Sequence, residues 1–155
     1  MRKLLLLTLI SFLCGCGGGG GSTTSAENKE AESMAVAEKF GKALASQDLT
    51  GAYSMTSSFY QKKVSREAFE SEFATATNEY GKPTVVTDTD IGILPMTVEE
   101  AASDFDLVTE APMESWHGWA FATLSSEKGG MDVRMLVIKE GADLKIDHLE
   151  YAYPD

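Results

Sequence analysis

The spacing of apolar residues predicts helices in the first half of the chain. Residues 27–46 carry apolar side chains on one stripe and charged side chains on the other faces, the pattern of a helix with one buried face. Asp48 is placed to cap a second, shorter helix that continues to Met55. Ser65 is placed to cap a third helix, which stops at Gly81 because glycine followed closely by proline ends a helix.

Alternating patterns predict strands in the second half. Residues 116–125, 131–139 and 144–153 each alternate between two sets of side chains, as strands do. The segments 127–130 and 140–143 combine glycine with charged residues, which favours tight hairpin turns. These three strands are therefore expected to form an antiparallel meander.

The segment that links the two halves has weaker patterns. Residues 84–87 are rich in β-branched side chains, which predicts a short strand. Residues 88–115 are acidic and are expected to be irregular. Within them, Thr97 and Glu100 have the spacing of a capping box for a short helix through Ala102.

The strand patterns also assign side chains to the two faces of the sheet. In the first strand of the meander, Trp116 falls with the small and aliphatic side chains, whereas Trp119 and Phe121 fall on the opposite face. The alternation changes phase at Asp147 and His148, which predicts a bulge. Since both faces are apolar, we expect helices on one face and either a long loop or a second copy of the chain, as a homodimer, on the other.

Helices followed by a meander predict the fold class. The expected architecture is an α+β domain in which N-terminal helices pack on one face of an antiparallel sheet. Residues 30–155 are long enough for a single domain of this kind with its own core.

The N-terminus has the layout of an export signal. Arg2 and Lys3 precede an apolar run that is too short for a permanent membrane span, and a small residue then precedes Cys16. This layout resembles the bacterial lipoprotein signal, which is cut before a cysteine that receives diacylglycerol. The resemblance implies a signal peptide at 1–15, a lipidated Cys16 and, over 16–29, a flexible tether rich in glycine and serine.

The same resemblance implies a location. The protein is expected to be exported and anchored to a bacterial membrane, with the outer membrane favoured by Gly17 if the host has two membranes. An ordinary cleaved signal with two incidental cysteines is the alternative. If the mature chain begins at Cys16, the folded domain has no disulfide and depends on its core alone.

The charge balance argues against one class of partner. The formal net charge is −11 at pH 7, and contacts to nucleic acid phosphates need clustered lysine and arginine. We therefore expect no nucleic acid partner. Anionic lipid would also repel the domain, so the lipid anchor is expected to hold it on the membrane without electrostatic help.

The helical half contains motifs that resemble those of the nuclear transport factor 2-like superfamily. The resemblance covers residues 30–153, and the strand meander agrees with it. It implies a cone-shaped, often dimeric domain whose curved sheet wraps around the helices, with a pocket open at one end. Members include isomerases, polyketide cyclases and non-catalytic secreted domains, so the fold does not assign chemistry. The matching motifs are Ala43-Leu44-x-x-Gln47-Asp48, Ala52-Tyr53 and Ser65-Arg66-Glu67-x-Phe69.

Enzymes of that superfamily use a pocket carboxylate or histidine to move a proton near a carbonyl group. His148 and Asp147 are the candidates for a general base, although neighbouring strand residues point to opposite faces unless a bulge turns one of them. His117, in the preceding strand pattern, fits a solvent-exposed strand end. The candidate ligand contacts are four aromatic side chains: Tyr53, Trp116, Trp119 and Tyr151.

No cofactor or metal signature accompanies these candidates. The sequence Asp88-x-Asp90-x-Gly92 places its glycine one position too early for a calcium loop, so no metal is expected. We expect a membrane-tethered envelope lipoprotein whose domain binds a protein, a peptide or a small apolar ligand without catalysis. The alternative is a lipid-anchored enzyme of the polyketide cyclase or ketosteroid isomerase type.

Overall fold

The computed structural model describes residues 23–92, 94, 97–105 and 109–154. The predicted signal peptide, Cys16 and the glycine-rich part of the tether lie outside the described residues. The elements in chain order are α1 (Thr23–Ala45), α2 (Leu49–Ser54), α3 (Ser58–Lys63), α4 (Arg66–Tyr80), β1 (Pro83–Gly92), α5 (Val98–Phe105), a short 3₁₀ turn (Met113–Ser115), β2 (Trp116–Ser126), β3 (Met131–Glu140) and β4 (Asp143–Ala152).

The four strands form one curved antiparallel sheet in the order β1-β2-β3-β4. Helix α1 packs across β1 and β2. Each of the three strand pairs contains a register shift, an irregularity that bends a strand and increases its twist. The predicted α+β class, with N-terminal helices on an antiparallel sheet, is confirmed.

The core lies between the helices and one sheet face. Phe40 and Leu44 of α1 and Phe69 and Phe73 of α4 are buried there. Gly41 lets α1 approach the sheet closely, because a Cβ atom at this position would lie 3.1 Å from side-chain atoms of two residues on β1 and β2. The sheet side of the core consists of Ala120, Ala122, Leu124, Met131, Val133, Met135, Val137 and Ile146.

The predicted helix ends are confirmed by their hydrogen bonds. The Asp48 side chain accepts from the backbone N–H of Gly51 at 2.9 Å, and the Ser65 hydroxyl accepts from the N–H of Ala68 at 3.2 Å. Gly81 ends α4 with φ at 90°, in the region that favours glycine. Asp48 and Ser65 therefore mark where α2 and α4 begin, and Gly81 marks where α4 ends.

Three helices differ from the predictions. Helix α1 begins at Thr23, so residues 23–29, counted to the tether in the sequence, are helical here. Helix α3 was not predicted; the Ser57 hydroxyl caps it by accepting from the N–H of Tyr60 at 2.9 Å. Helix α5 continues beyond Ala102 to Phe105.

Strand β1 is longer than the predicted strand at 84–87, and the prediction of irregular structure from residue 88 is wrong for residues 88–92. Pairing with β2 orders these acidic residues despite their low strand propensity. The side chains of Asp88 and Asp90 accept from the N–H groups of Thr89 and Ile91, at 2.8 and 2.7 Å, which satisfies donors along this edge.

A second apolar cluster, which we call the outer cluster, lies on the sheet face away from α1. Helix α5 and the segment before β2 pack over it, so a long loop covers this part of the face, as the sequence allowed. The alternative cover named in the sequence analysis, a second copy of the chain in a homodimer, stays a prediction. The buried members are Ala101, Ala111, Trp116, Trp119, Leu136 and Ile138.

The predicted face of Trp116 is wrong. The register shift between Trp116 and Gly118 makes His117 an extra residue, which reverses the alternation and brings Trp116 to the same face as Trp119. The side chain of His117 instead meets Glu32 on α1, with its Nε2 atom 2.9 Å from the carboxylate Oε2. His117 is therefore not a solvent-exposed strand end.

Among the helices of the described residues, none combines the length and apolar character needed to cross a bilayer.

Candidate functional site

A cavity of about 380 Å³ opens where the first turns of α1 meet the end of β1 and the start of β2. We call it the α1–β2 cavity. Its volume lies within the range of small-molecule pockets in proteins, and its walls are mainly apolar. Ala26 and Ser33 line it from α1, Ile91 and Gly92 from β1, and Gly118 and Trp119 from β2.

The polar groups of the α1–β2 cavity are few. Ser33 is 0% exposed, and its hydroxyl oxygen has no hydrogen-bond partner among the described residues. A buried hydroxyl without a partner costs free energy, so a ligand that accepts or donates a hydrogen bond there would remove that cost. Lys29 and Glu30 add opposite charges among the lining residues.

Two glycines shape this cavity. A Cβ atom at Gly118 would lie 2.2 Å from the Ser33 hydroxyl oxygen, and one at Gly92 would lie 2.2 Å from an indole carbon of Trp119. Larger residues at either position would push the helix or the indole aside. Small residues therefore allow both the close helix–sheet packing and the position of Trp119.

Trp119 forms the wall between the cavity and the outer cluster. Its side chain is 3% exposed, and it stacks on the imidazole of His148 with ring centroids 6.0 Å apart and planes 23° apart. It also lines a groove of about 560 Å³ on the outer sheet face, beside Phe121 and Arg134. Of the four candidate aromatic contacts, Trp119 is the one that lines the α1–β2 cavity.

Asp147 occupies the predicted bulge. The register shift lies opposite Leu136 and Val137, which confirms the phase change read from the sequence. Asp147 is buried and accepts hydrogen bonds from the hydroxyls of Ser57 and Thr109. Because the Ser57 hydroxyl also caps α3, Asp147 ties the start of that helix and the loop after α5 to strand β4.

His148 is half-buried beside Asp147, and its Nε2 atom is buried without a hydrogen-bond partner among the described residues. Burial lowers the pKa of His148 to about 4; the positive charge of Lys63 adds to this, and the negative charge of Asp147 opposes it. The imidazole is therefore neutral at pH 7. In the described part of the chain, no cluster of three His, Cys, Asp or Glu side chains could hold a metal ion.

The other aromatic candidates lie elsewhere in the domain. The Tyr53 hydroxyl donates to the carbonyl of Val64 at 2.8 Å, and Tyr53 lines a surface hollow of about 500 Å³. The Trp116 indole N–H donates to the carbonyl of Ala111 at 3.3 Å inside the outer cluster. Both side chains are thus held by the fold itself.

Tyr151 faces the helices, with its ring packed on Phe73 at a centroid distance of 6.3 Å. Its hydroxyl is buried without a hydrogen-bond partner among the described residues, and burial raises its pKa. Tyr151 also lines a cavity of about 320 Å³ between α4 and β4. The four aromatic candidates therefore do not form one site.

No protein-family model, curated protein or solved structure matches this chain.

The sequence did not reveal Ser33, Gly92 or Gly118 as cavity residues. Ser33 lies on the same face of α1 as Ala37 and Phe40 and interrupts that apolar stripe, which was the one visible signal. The two glycines lie in strand patterns, where a glycine often marks close approach of a backbone or a ligand.

Proposed function

We propose that the chain is an exported lipoprotein, held on a bacterial membrane by an acylated Cys16, whose domain binds a small apolar ligand in the α1–β2 cavity. The observation that supports this best is an apolar cavity with an indole wall and a single buried hydroxyl, that of Ser33, left without a partner. A ligand that is mainly apolar and has one hydrogen-bonding group fits these walls.

The surroundings of Asp147 and His148, the candidate general bases, favour a domain that binds a ligand over one that catalyses a reaction. Both carboxylate oxygens of Asp147 accept hydrogen bonds from hydroxyls within the fold. His148 is stacked on Trp119, and neither Asp147 nor His148 lines any of the four cavities described above. A general base must reach the proton that it removes, and these two groups face protein instead.

One observation favours the second candidate, an enzyme of the polyketide cyclase or ketosteroid isomerase type. The Nε2 atom of His148 is buried, lacks a partner among the described residues and belongs to a ring that is neutral at pH 7. Such a nitrogen can accept a proton. Turnover of a cyclisable polyketide or a ketosteroid that disappears in the His148→Gln protein would favour this candidate over simple binding.

We also propose that the domain belongs to the nuclear transport factor 2-like superfamily. The supporting features are the order of helices before an antiparallel meander, the curvature of the sheet and a cavity beside the start of α1. The resemblance also implies a homodimer, and the surface we propose for it is the outer sheet face around the groove beside Phe121.

The ligand proposal predicts a position-specific loss of binding. Replacing Ala26 by phenylalanine should weaken the binding of anilinonaphthalene sulfonate, an apolar fluorescent probe, by about tenfold, because the new ring fills the α1–β2 cavity. The matched control is Ala31→Phe, the same change at an exposed position of α1, which should leave the affinity unchanged. Equal affinities of the two variants for the probe, measured by fluorescence titration, would remove this cavity as the binding site.

The anchor proposal predicts a difference between the two cysteines. Replacing Cys16 by serine should abolish incorporation of labelled palmitate and release the domain from the membrane fraction, because the acylated thiol is gone. Cys14→Ser, two positions earlier, should keep both the label and the membrane location. Undiminished labelling of the Cys16→Ser protein would refute the anchor without affecting the ligand proposal.

A further inference from the structure

The two edges of the sheet differ in their free backbone groups. Strand β1 satisfies donors of its edge with its own aspartate side chains, as described above. Among the described residues, Ile146 of β4 exchanges backbone hydrogen bonds outside the sheet with Met55 and Ser57, at 3.1 and 2.7 Å. Beyond the bulge at Asp147, this edge has no further strand beside it.

The backbone of β4 beyond the bulge points polar groups away from the sheet. The carbonyl of Tyr151 accepts a hydrogen bond from the Tyr80 hydroxyl on α4 at 3.5 Å, so it is directed away from β3, and an added strand would replace this bond. In an antiparallel ladder every second residue points its N–H and C=O in the same direction, so Leu149 also directs both groups outward. Such an edge can accept an extended segment as an added strand.

The surface beside this edge is acidic. The cavity of about 320 Å³ between α4 and β4 is lined by Glu72, Glu79 and Glu150, and no lysine or arginine is among its lining residues. Burial raises the pKa of Glu72, as it does for a carboxylate that lacks a compensating cation. A cation bound beside Glu72 would offset the cost of burying its negative charge.

Two residues that line this cavity each carry a buried polar atom without a hydrogen-bond partner among the described residues. The atoms are Oε2 of Glu150 and the hydroxyl oxygen of Tyr151. A lysine or arginine side chain supplies donors and no acceptor, which is what a carboxylate oxygen and a tyrosine oxygen need. The two unpartnered oxygen atoms and the acidic lining therefore both favour a cationic side chain as the bound group.

We propose that the β4 edge beyond Asp147 binds an extended, basic segment of a partner protein, which adds a strand at Leu149 and Tyr151 and places a cationic side chain between Glu72 and Glu79. A second copy of this chain is the less suitable occupant, because its formal net charge of −11 would bring like charges together at this edge. The site is separate from the α1–β2 cavity, so each proposal can fail without the other.

A labelled, end-blocked octapeptide of alternating lysine and valine tests this proposal on the purified full chain by fluorescence anisotropy. We expect saturable binding that the double variant Glu72→Gln/Glu79→Gln weakens about tenfold, since two carboxylates that face the cation are lost. The matched control is Glu99→Gln/Glu114→Gln, which changes the net charge equally at exposed positions on other elements and should leave the affinity unchanged. Equal weakening by the two double variants would overturn the proposal.

Amide hydrogen exchange tests the strand addition directly. The N–H groups of Leu149 and Tyr151 should exchange about tenfold more slowly when the lysine–valine peptide is bound, and a glutamate–valine peptide should cause no slowing. Peptide binding with unchanged exchange at both amides would overturn the edge as the site. Protection that rises with protein concentration in the absence of peptide would show a second copy at the edge and would equally overturn the proposal.

Discussion

Replacing Phe69 by alanine should lower the free energy of unfolding by about 3–5 kcal/mol. Phe69 is 0% exposed and lies between the rings of Phe40 and Tyr53, with centroid distances of 6.4 and 5.7 Å. Alanine at this position leaves a cavity where α1, α2 and α4 meet, and the surrounding backbone can close it only in part. Urea denaturation of the two proteins at pH 7 measures the difference.

Phe59→Ala is the matched control for this prediction. Phe59 is only partly buried against the outer cluster, with Lys62 5.3 Å above its ring, so truncation should cost about 1 kcal/mol. The same atoms are removed in both variants, and only the depth of burial differs. Equal losses in the two proteins would contradict a core centred on α1 and α4.

The helical half could be predicted from sequence because its signals are local. Asp48 and Ser65 cap helices through hydrogen bonds to residues three positions later, and Gly81 ends a helix through its own backbone angle. Helix α3 was not predicted because its six residues are too few for a periodic pattern.

The strand half was predictable in order and less so in detail. Alternation identified β2, β3 and β4 and even the bulge at Asp147, because a missing step in the alternation is visible in the sequence itself. The bulge at His117 could not be seen, since glycine and histidine beside tryptophan fit either face. Residues 88–92 became a strand through pairing with β2, which is a long-range effect.

The candidate site was the least predictable part, because it is made by contacts between distant segments. Asp147 meets Ser57 and Thr109, residues far from it in the chain, and these two bonds turn a candidate base into a structural acceptor. The unpartnered hydroxyl of Ser33 becomes visible only when α1 is laid on β2. A sequence pattern identifies residue types, whereas burial and partners decide their roles.

The second large effect expected is a loss of stability in acid that depends on His148. The pKa of His148 is about 4 in the folded domain and about 6.5 in the unfolded chain, so between these values the unfolded state binds more protons. The free energy of unfolding therefore falls as the pH falls from about 6.5 to about 4, by about 3 kcal/mol over the whole window. Urea denaturation at pH 7 and at pH 4 measures this loss.

The variant His148→Phe isolates this term, because its ring can keep the stacking on Trp119 and has no proton to bind. Protonation of carboxylates such as Glu140, whose pKa is lowered by hydrogen bonds from Ser58, also destabilises the folded domain in acid. This contribution is the same in the parent and in the His148→Phe variant. The variant should therefore lose about 3 kcal/mol less than the parent between pH 7 and pH 4.

A direct titration of the His148 ring by NMR decides what this residue can do. A midpoint near 4 means a ring that stays neutral and enclosed under ordinary conditions, which agrees with a domain that binds in the α1–β2 cavity and leaves the imidazole inside its packing. A midpoint near the ordinary value would contradict the burial of the ring. Solvent and substrate could then reach the His148 ring, and a role for it as a general base would be favoured over simple binding.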